Sequence, residues 1–183
     1  IPRKLFTPEA YANFSHVDIN IPIGNSQHML MPSIEAKMLQ ALNIQLNENI
    51  LVVGSGTGYL SSCVSLLGNK VHSIDIDDNL VKISKKNSNQ DFLKGNILYE
   101  NLDLIRNLAI IKKYNVVILT SSIDDLSLIT DHMNNQSRAF IFFGEKIAPV
   151  KTGFLIKKLK TSGLSKEYIA ETDVSHLIVE KND

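Results

Sequence analysis

The chain reads Ile50-Leu51-Val52-Val53-Gly54-Ser55-Gly56-Thr57-Gly58-Tyr59, an apolar run that leads into three closely spaced glycines. Apolar residues then recur at helical spacing from Leu60 to Leu67. This order predicts a buried strand, a glycine-rich turn and a helix. Such a turn lets the backbone approach a ligand closely and points free helical N–H groups at it.

Short β-branched runs alternate with helical patterns on the carboxyl side of this unit, which is typical of a parallel sheet with crossover helices. The predicted strands lie near Ile50–Val53, Lys70–Asp75, Asp91–Lys94, Asn115–Thr120 and Arg138–Phe143. Gly68 is predicted to end the first helix in a left-handed conformation. A second helix is expected after Asp77 and Asp78, and a third over Ile123–Met133.

The two ends of the chain have different patterns. Before residue 50, prolines punctuate a loop-rich segment, and an amphipathic helix follows with Ile34, Met38, Leu39 and Leu42 on one side. After Pro149, two strand-like runs predict an antiparallel closing hairpin. We therefore expect a single domain over 1–183, with a cap segment (1–45), a cofactor-binding core (46–150) and closing β-strands (151–183).

Glycine spacing separates two ligand classes. A dinucleotide fingerprint, G-x-G-x-x-G, would need its third glycine at Tyr59, whereas the chain has it at Gly58. G-x-G-x-G is instead the spacing of class I S-adenosylmethionine enzymes. Asp75 ends the next strand, where a carboxylate can accept both ribose hydroxyls. A ligand-free glycine turn, a helix-capping Asp75 and a nicotinamide-dependent oxidoreductase are the alternatives.

Composition narrows the function further. Of 183 residues, 44% are hydrophobic and 21% charged, and 19 basic residues balance 19 acidic ones. No net field attracts nucleic acid or an anionic membrane, so neither is expected as a partner. A single cysteine, Cys63, excludes an intrachain disulfide, and no Cys/His spacing predicts a metal site. A cytoplasmic location is expected, since no signal segment or membrane-spanning run is visible.

Short motifs outside the glycine loop give the chain a family resemblance. They are Pro2-Arg3-Lys4-Leu5-Phe6, Tyr11, Ile21-Pro22-Ile23-Gly24, Gln27, Pro32, Tyr114 to Ser122 and Phe143-Gly144. With the glycine loop and Asp75, they resemble the protein-L-isoaspartate O-methyltransferase family. The resemblance implies a Rossmann-like class I methyltransferase fold, with a mostly parallel sheet and an antiparallel closing strand.

The same resemblance implies methyl transfer from S-adenosylmethionine to the α-carboxylate of an L-isoaspartyl residue in damaged protein, leaving S-adenosylhomocysteine. A carboxylate is ionised at neutral pH and a sulfonium is already activated. The protein therefore has to align the reacting atoms and exclude water, and neither a metal nor a general base is required.

Departures from the family concern both substrates. His28 and Leu30 replace the threonine and serine of a Gln-Thr-Ile-Ser-Gln-Pro-like segment. Val52 replaces an acidic residue near the methionine moiety, and Asn96 corresponds to the acidic residue that reaches the adenine amine. The pattern resembles a divergent bacterial branch that lacks the hydroxyl-bearing substrate motif. A different acceptor, or donor binding without turnover, is therefore an alternative function.

The predicted site residues fall into two groups. Those expected to bind the donor are Gly54, Ser55, Gly56, Thr57, Gly58, Asp75, Ile76, Asn96 and Thr120. Those expected on the acceptor side are Gln27 and His28, as catalytic candidates, with Ser121 and Ser122. A loop histidine without a catalytic role and a helix-capping serine cluster are the alternatives for His28 and for the serines.

Overall fold

The computed structural model of the protein describes residues 1–93, 95–161 and 163–179, and its framework is one seven-stranded sheet with a small two-stranded sheet beside it. The strands in chain order are β1 Ile21–Gly24, β2 Gln27–Met29, β3 Asn49–Val53, β4 Lys70–Asp75, β5 Ile97–Asn101, β6 Val116–Ile123, β7 Arg138–Phe143, β8 Val150–Lys158 and β9 Leu164–Asp173. The large sheet has the order β5-β4-β3-β6-β7-β8-β9.

Helices cover the sheet and connect its strands. The α-helices are α1 Pro32–Leu42, α2 Tyr59–Leu67, α3 Asp78–Asn87 and α4 Ser127–Thr130, and the 3-10 segments are Arg3–Phe6, Glu9–Phe14 and Ile105–Lys113. Strands β3 to β7 are parallel, whereas β8 and β9 are antiparallel to their neighbours. This arrangement confirms the predicted fold class, an α/β fold with a mostly parallel sheet and antiparallel closing strands.

β3 lies inside the sheet, between β4 and β6, and is buried on both faces. Ile50 and Val52 pack into the core on the side of α1 and α2, while Leu51 and Val53 pack into a second core on the opposite side. Alternation of side chains along a strand produces this division, and crossover helices on both faces explain why the run is apolar throughout. The strand that precedes the glycine loop is therefore rigidly held.

The amino-terminal segment folds against the start of α2. Phe6 is fully buried and contacts the ring of Tyr59 edge-on at a centroid distance of 5.6 Å.

The predicted amphipathic helix is present as α1, with Pro32 at its first turn, where its missing N–H costs nothing. Asn43 ends this helix in the left-handed region, at φ 44°.

The second strand after the glycine loop was predicted in the wrong place. Asp91–Leu93 forms turns, Lys94 lies outside the described residues, and β5 begins at Ile97. In the parallel register Ile97 pairs with Val71 and Asn101 pairs with Asp75. The residues that reach the carboxyl edge of the sheet beside Asp75 are therefore those after Asn101.

Two helix predictions also need correction. Gly68 is extended, with φ −113° and ψ −173°, so it is not a left-handed cap; a Cβ there would lie 2.1 Å from Cδ1 of Ile50, and close packing explains the glycine. The predicted helix over Ile123–Met133 shrinks to the single turn of α4. Ile123 instead ends β6, where it pairs with Phe143.

The closing hairpin follows the prediction closely. β8 pairs with β7 on one side and with β9 on the other, antiparallel in both cases. Residues 180–183 of the expected closing segment lie outside the described part. Within the described ranges, the structure contains no helix long and apolar enough to span a lipid bilayer.

Candidate active site

A cavity opens at the carboxyl ends of β3, β4 and β6, next to the glycine loop. It contains about 1030 Å³ of space, part of it open to solvent. Ligands of open α/β sheets bind at this edge. The hairpin of β1 and β2 forms one wall, and the residues after β5 form another.

The glycine loop depends on a conformation that other residues adopt only under strain. Gly54, Gly56 and Gly58 all have positive φ, at 90°, 52° and 90°. A Cβ on Gly54 would also lie 2.1 Å from Oγ1 of Thr120, which donates hydrogen bonds to the carbonyl oxygens of Val53 and Gly54. Both the backbone and its neighbour therefore require glycine at position 54.

Asp75 fastens the loop to the end of β4. Its Oδ2 accepts hydrogen bonds from Gly56 N at 3.0 Å and from Ser55 Oγ at 3.3 Å, and its Oδ1 accepts one from Asp77 N at 3.1 Å. Burial raises the pKa of the Asp75 carboxyl, and the bond from Gly56 opposes that rise. Each oxygen still has acceptor capacity that a ligand hydroxyl could use.

Most of the residues predicted for the site line this cavity. They are Gln27, His28, Gly54, Ser55, Gly56, Thr57, Asp75, Ile76, Thr120 and Ser121. Gly58, Asn96 and Ser122 are not among the lining residues. Gly58 instead begins α2 and packs against Ser84, where an added Cβ would lie 3.0 Å from Ser84 Cβ.

Asn96 was predicted to reach an adenine amine, and that placement is wrong. Its Nδ2 donates to the carbonyl oxygens of Ser65 at 3.1 Å and Asn69 at 2.7 Å. Both acceptors lie near the start of β4, so Asn96 is at the amino edge of the sheet. The error follows from the misplaced strand, because a residue that precedes a parallel strand lies opposite the ligand edge.

Asp103 occupies the position that Asn96 was expected to have. It follows β5 at the ligand edge and lines the cavity, and its side chain is 6% exposed. Oδ1 accepts a hydrogen bond from Ile105 N, whereas the buried Oδ2 accepts none from the described residues, and Nε of Arg106 is 3.6 Å away. The apolar run Ile97-Leu98-Tyr99 was the sequence signal for β5 that could have located this residue.

The three hydroxyl residues at the end of β6 have different surroundings. Thr120 holds the glycine loop, as described above. Ser121 lines the cavity, and its buried Oγ has no hydrogen-bond partner among the described residues. Ser122 lies beside His176, with Oγ and Nδ1 3.2 Å apart, and exchanges backbone hydrogen bonds with Ser175 and Leu177. It therefore anchors the carboxyl-terminal segment, which itself lines the cavity.

The acceptor side has little polar character. Gln27 is half-buried and His28 is exposed at the rim. Leu30 is 4% exposed and belongs to the core under α1, so the position of the missing serine presents only hydrocarbon. His176 also lines this cavity, and burial lowers the pKa of its imidazole.

Neither a reactive thiol nor a metal site is found among the described residues. Burial raises the pKa of the Cys63 thiol to about 11, so it is protonated at neutral pH and a poor nucleophile. Among the described residues, no three His, Cys, Asp or Glu side chains are grouped closely enough to hold a metal ion. Of the cavity-lining side chains in the described ranges, Asp103 and Ser121 each have a buried polar atom, Oδ2 and Oγ, that makes no hydrogen bond.

Comparisons with known sequences agree on one family. The model of the family described as protein-L-isoaspartate(D-aspartate) O-methyltransferase matches residues 1–129. The protein-L-isoaspartate O-methyltransferase of Methanospirillum hungatei is 31% identical over 122 residues, 67% of this chain and 56% of the relative. That of Dictyoglomus thermophilum is 35% identical over 86 residues, 47% of this chain and 39% of the relative. The chain thus matches well under two thirds of these relatives' length.

Comparison with solved structures agrees on the fold. A Plasmodium falciparum chain, described as such a methyltransferase in complex with S-adenosyl-L-homocysteine, superposes with a TM-score of 0.79 at 17% identity, covering 96% of this chain and 85% of that one. A second structure described as a protein-L-isoaspartate O-methyltransferase gives 0.81 at 21% identity, covering 98% and 59%. At these identities the likeness establishes the shared fold.

Proposed function

The chain belongs to the protein-L-isoaspartate O-methyltransferase family, and from this premise we propose that it binds S-adenosylmethionine in the cavity and transfers the methyl group to a carboxylate acceptor. The observation that carries the proposal is the joining of the glycine loop to Asp75 at the ligand edge of the sheet. Relatives and solved structures with the same fold support it.

The adenosyl part of the donor fits three features of the cavity. Asp75 can accept hydrogen bonds from the ribose hydroxyls, because it is the carboxylate next to the loop backbone. Ile76 presents an apolar surface to the adenine ring. Asp103 Oδ2 is buried and accepts no hydrogen bond from the described residues, although it forms an ion pair with Arg106, so it can accept a hydrogen bond from the adenine amine. These assignments replace Asn96 by Asp103, leave out Gly58, which does not line the cavity, and keep the other donor residues as predicted.

The reaction requires alignment more than proton transfer. When bound, the donor supplies a methyl group on a sulfonium, which leaves as a neutral thioether once an acceptor oxygen attacks in line. The chain holds the donor through the glycine loop, and β1, β2 and the carboxyl-terminal segment cover part of the cavity in which the reacting atoms are aligned. An ionised carboxylate needs no base at neutral pH.

We infer that the acceptor enters past Gln27 and His28, with Ser121 bounding the inner wall. His28 can donate a hydrogen bond to an acceptor carboxylate through a ring N–H. A protein or peptide with an isoaspartyl residue is the acceptor that the family favours. A cytoplasmic location for the reaction is part of this proposal.

The test is methyl transfer from labelled S-adenosylmethionine to an isoaspartyl peptide, with the matching normal aspartyl peptide as control. We expect label on the isoaspartyl peptide and none on the control. The Asp75→Asn variant should lose transfer, because an amide cannot provide two acceptor oxygens to the ribose. Equal labelling of both peptides would contradict an isoaspartyl specificity, and no labelling of either would contradict the activity.

A second candidate function is donor binding without transfer to isoaspartyl residues. The burial of Leu30 favours it, since this position gives the acceptor no hydroxyl. Donor binding by titration, together with no labelled peptide, would support this function over the first.

A further inference from the structure

Glu35 is an acidic side chain in the cavity to which the proposed function has so far given no role. It belongs to α1, is 6% exposed and lines the cavity. Nη1 of Arg3 donates to its Oε2 at 2.9 Å, and Nη2 of the same arginine donates to the carbonyl oxygen of Leu30. An ion pair buried this deeply seldom adds net stability over apolar residues of the same volume, so its position beside a ligand cavity suggests a role in binding.

The position of Glu35 differs from that of the other acids in the cavity. The other acidic lining residues are Asp75, Asp77 and Asp103, and they gather at the ends of β4 and β5. Glu35 belongs instead to α1 and lies close to the first turns of α2. Its charge is felt there by Tyr59 and Cys63, and the Arg3 guanidinium stands 5.0 Å from the Tyr59 ring centroid.

This arrangement matches the methionine end of the donor. That end carries an α-carboxylate and an α-ammonium on one carbon atom, so their binding groups must be adjacent. The first turn of α2 has N–H groups without helical partners, which suit the carboxylate. The ammonium then needs a nearby acid, and β3 offers none, because Val52 is fully buried among apolar residues.

We propose that Glu35 binds the α-ammonium group of S-adenosylmethionine and that Arg3 positions the Glu35 carboxylate. The inference rests on the proposed donor site and deepens it. Glu35 then performs the task of the acidic residue that Val52 replaces, from a helix instead of a strand.

Titration of Glu35 gives the inference a second consequence. Burial raises the pKa of its carboxyl to about 8, and the charge of Arg3 opposes that rise. A bound ammonium favours the ionised carboxylate, so ligand binding should release a proton, and affinity should increase as pH rises toward about 8. The other titratable groups beside it, Tyr59 and Cys63, have pKa values raised by burial and stay protonated in this range.

The test compares two proteins with two ligands by calorimetric titration. The wild type and Glu35→Gln are each titrated with S-adenosylhomocysteine and with its desamino analogue, which lacks only the α-ammonium. The glutamine side chain keeps an oxygen for Arg3 but loses the charge. We expect Glu35→Gln to weaken S-adenosylhomocysteine binding by about ten- to a hundredfold and to change binding of the analogue by less than about twofold. The rise in affinity with pH should disappear in the variant.

Two results would overturn the inference. One is equal weakening of both ligands, which would mean that Glu35 only supports the fold; the other is unchanged binding of both. If the wild type binds neither ligand, the proposed function fails with it. Should Glu35→Gln not fold, the double variant Arg3→Met with Glu35→Leu replaces the pair by hydrocarbon, and the same contrast between the two ligands is expected from it.

Discussion

Gly54 is the residue whose replacement should damage the site most directly. Gly54→Ala forces a Cβ into Oγ1 of Thr120 and holds alanine at φ 90°. We expect a loss of about 1–2 kcal/mol in unfolding free energy from backbone strain alone, and more from the collision. Chemical denaturation measures the stability, and titration with S-adenosylhomocysteine should show binding weakened at least about tenfold.

Gly95→Ala is the matched control for this glycine. Gly95 also has a positive φ, of 64°, but an added Cβ would meet nothing within 4 Å, and Gly95 does not line the cavity. This variant should lose stability from strain and keep the affinity of the wild type. Equal loss of affinity in both variants would contradict the role of the Gly54 contact.

Replacing Asp103 should reverse the preference of the site between adenine and hypoxanthine. In Asp103→Asn, Oδ1 can still accept from Ile105 N, but an amide NH2 replaces Oδ2, loses the ion pair with Arg106 and faces the adenine amine. We expect the variant to bind S-adenosylhomocysteine about tenfold or more weakly, because two donors then oppose each other. The analogue with hypoxanthine in place of adenine presents an oxygen there and should bind the variant better than the wild type. Loss of both ligands alike would sink the assignment.

The misplacement of Asn96 shows which site residues can and cannot be located from local sequence patterns. The places of the glycine loop and of Asp75 in the fold were predicted correctly because strand, turn and acid follow one another within a short stretch. Asp103 was missed because the strand was predicted at Asp91–Lys94, around Phe92 and Leu93, whereas the longer apolar run Ile97-Leu98-Tyr99 forms β5. When a parallel strand is predicted a few residues too early, the residue before the true strand is taken for the residue after it. It is then assigned to the wrong edge of the sheet.

At the scale of elements, the end of α1 is fastened to the sheet by Arg138 of β7. Its guanidinium donates to both carboxylate oxygens of Glu48, each at 2.7 Å, and to the carbonyl oxygen of Asn43 at 3.0 Å. The hydrogen bond from Arg138 holds the pKa of the Glu48 carboxyl below its usual value. This contact orients the helix that carries Glu35.

The lowered pKa of Glu48 gives this contact a predictable pH dependence. A depressed carboxyl pKa contributes stability that is complete above the unfolded-state pKa of about 4.3 and is lost as pH falls through the lower folded value. Glu48→Gln should therefore be less stable than wild type by about 1–2 kcal/mol at neutral pH, and the difference should shrink below about pH 4. Denaturant titrations at several pH values measure it.

Glu171→Gln, an exposed position on β9, is the matched control for Glu48. Its stability should follow the wild type at each pH. A difference between Glu48→Gln and wild type that grows on acidification would show that the sign of the argument is wrong.

At the scale of the whole molecule, the walls of the cavity come from distant parts of the chain. Arg3 meets Glu35 from 32 positions away, and Ser122 meets His176 from 54 positions away. Periodicity in a short window does not contain such pairs, which explains why the alternating pattern predicted the sheet while Glu35 and His176 were not identified as lining residues. The segments that carry Arg3 and His176 therefore complete a cavity that is built on the carboxyl edge of the sheet.

The central claim, that this cavity is a seat for S-adenosylmethionine, is tested most directly by titrating the chain with S-adenosylhomocysteine in a calorimeter, with NAD as the comparison ligand. We predict one binding site per chain for S-adenosylhomocysteine. At a hundredfold excess over the dissociation constant, the ligand should raise the melting temperature by about 5–10 °C. NAD should produce neither effect. Absence of heat and of stabilisation with S-adenosylhomocysteine, or stabilisation by NAD instead, would contradict the account.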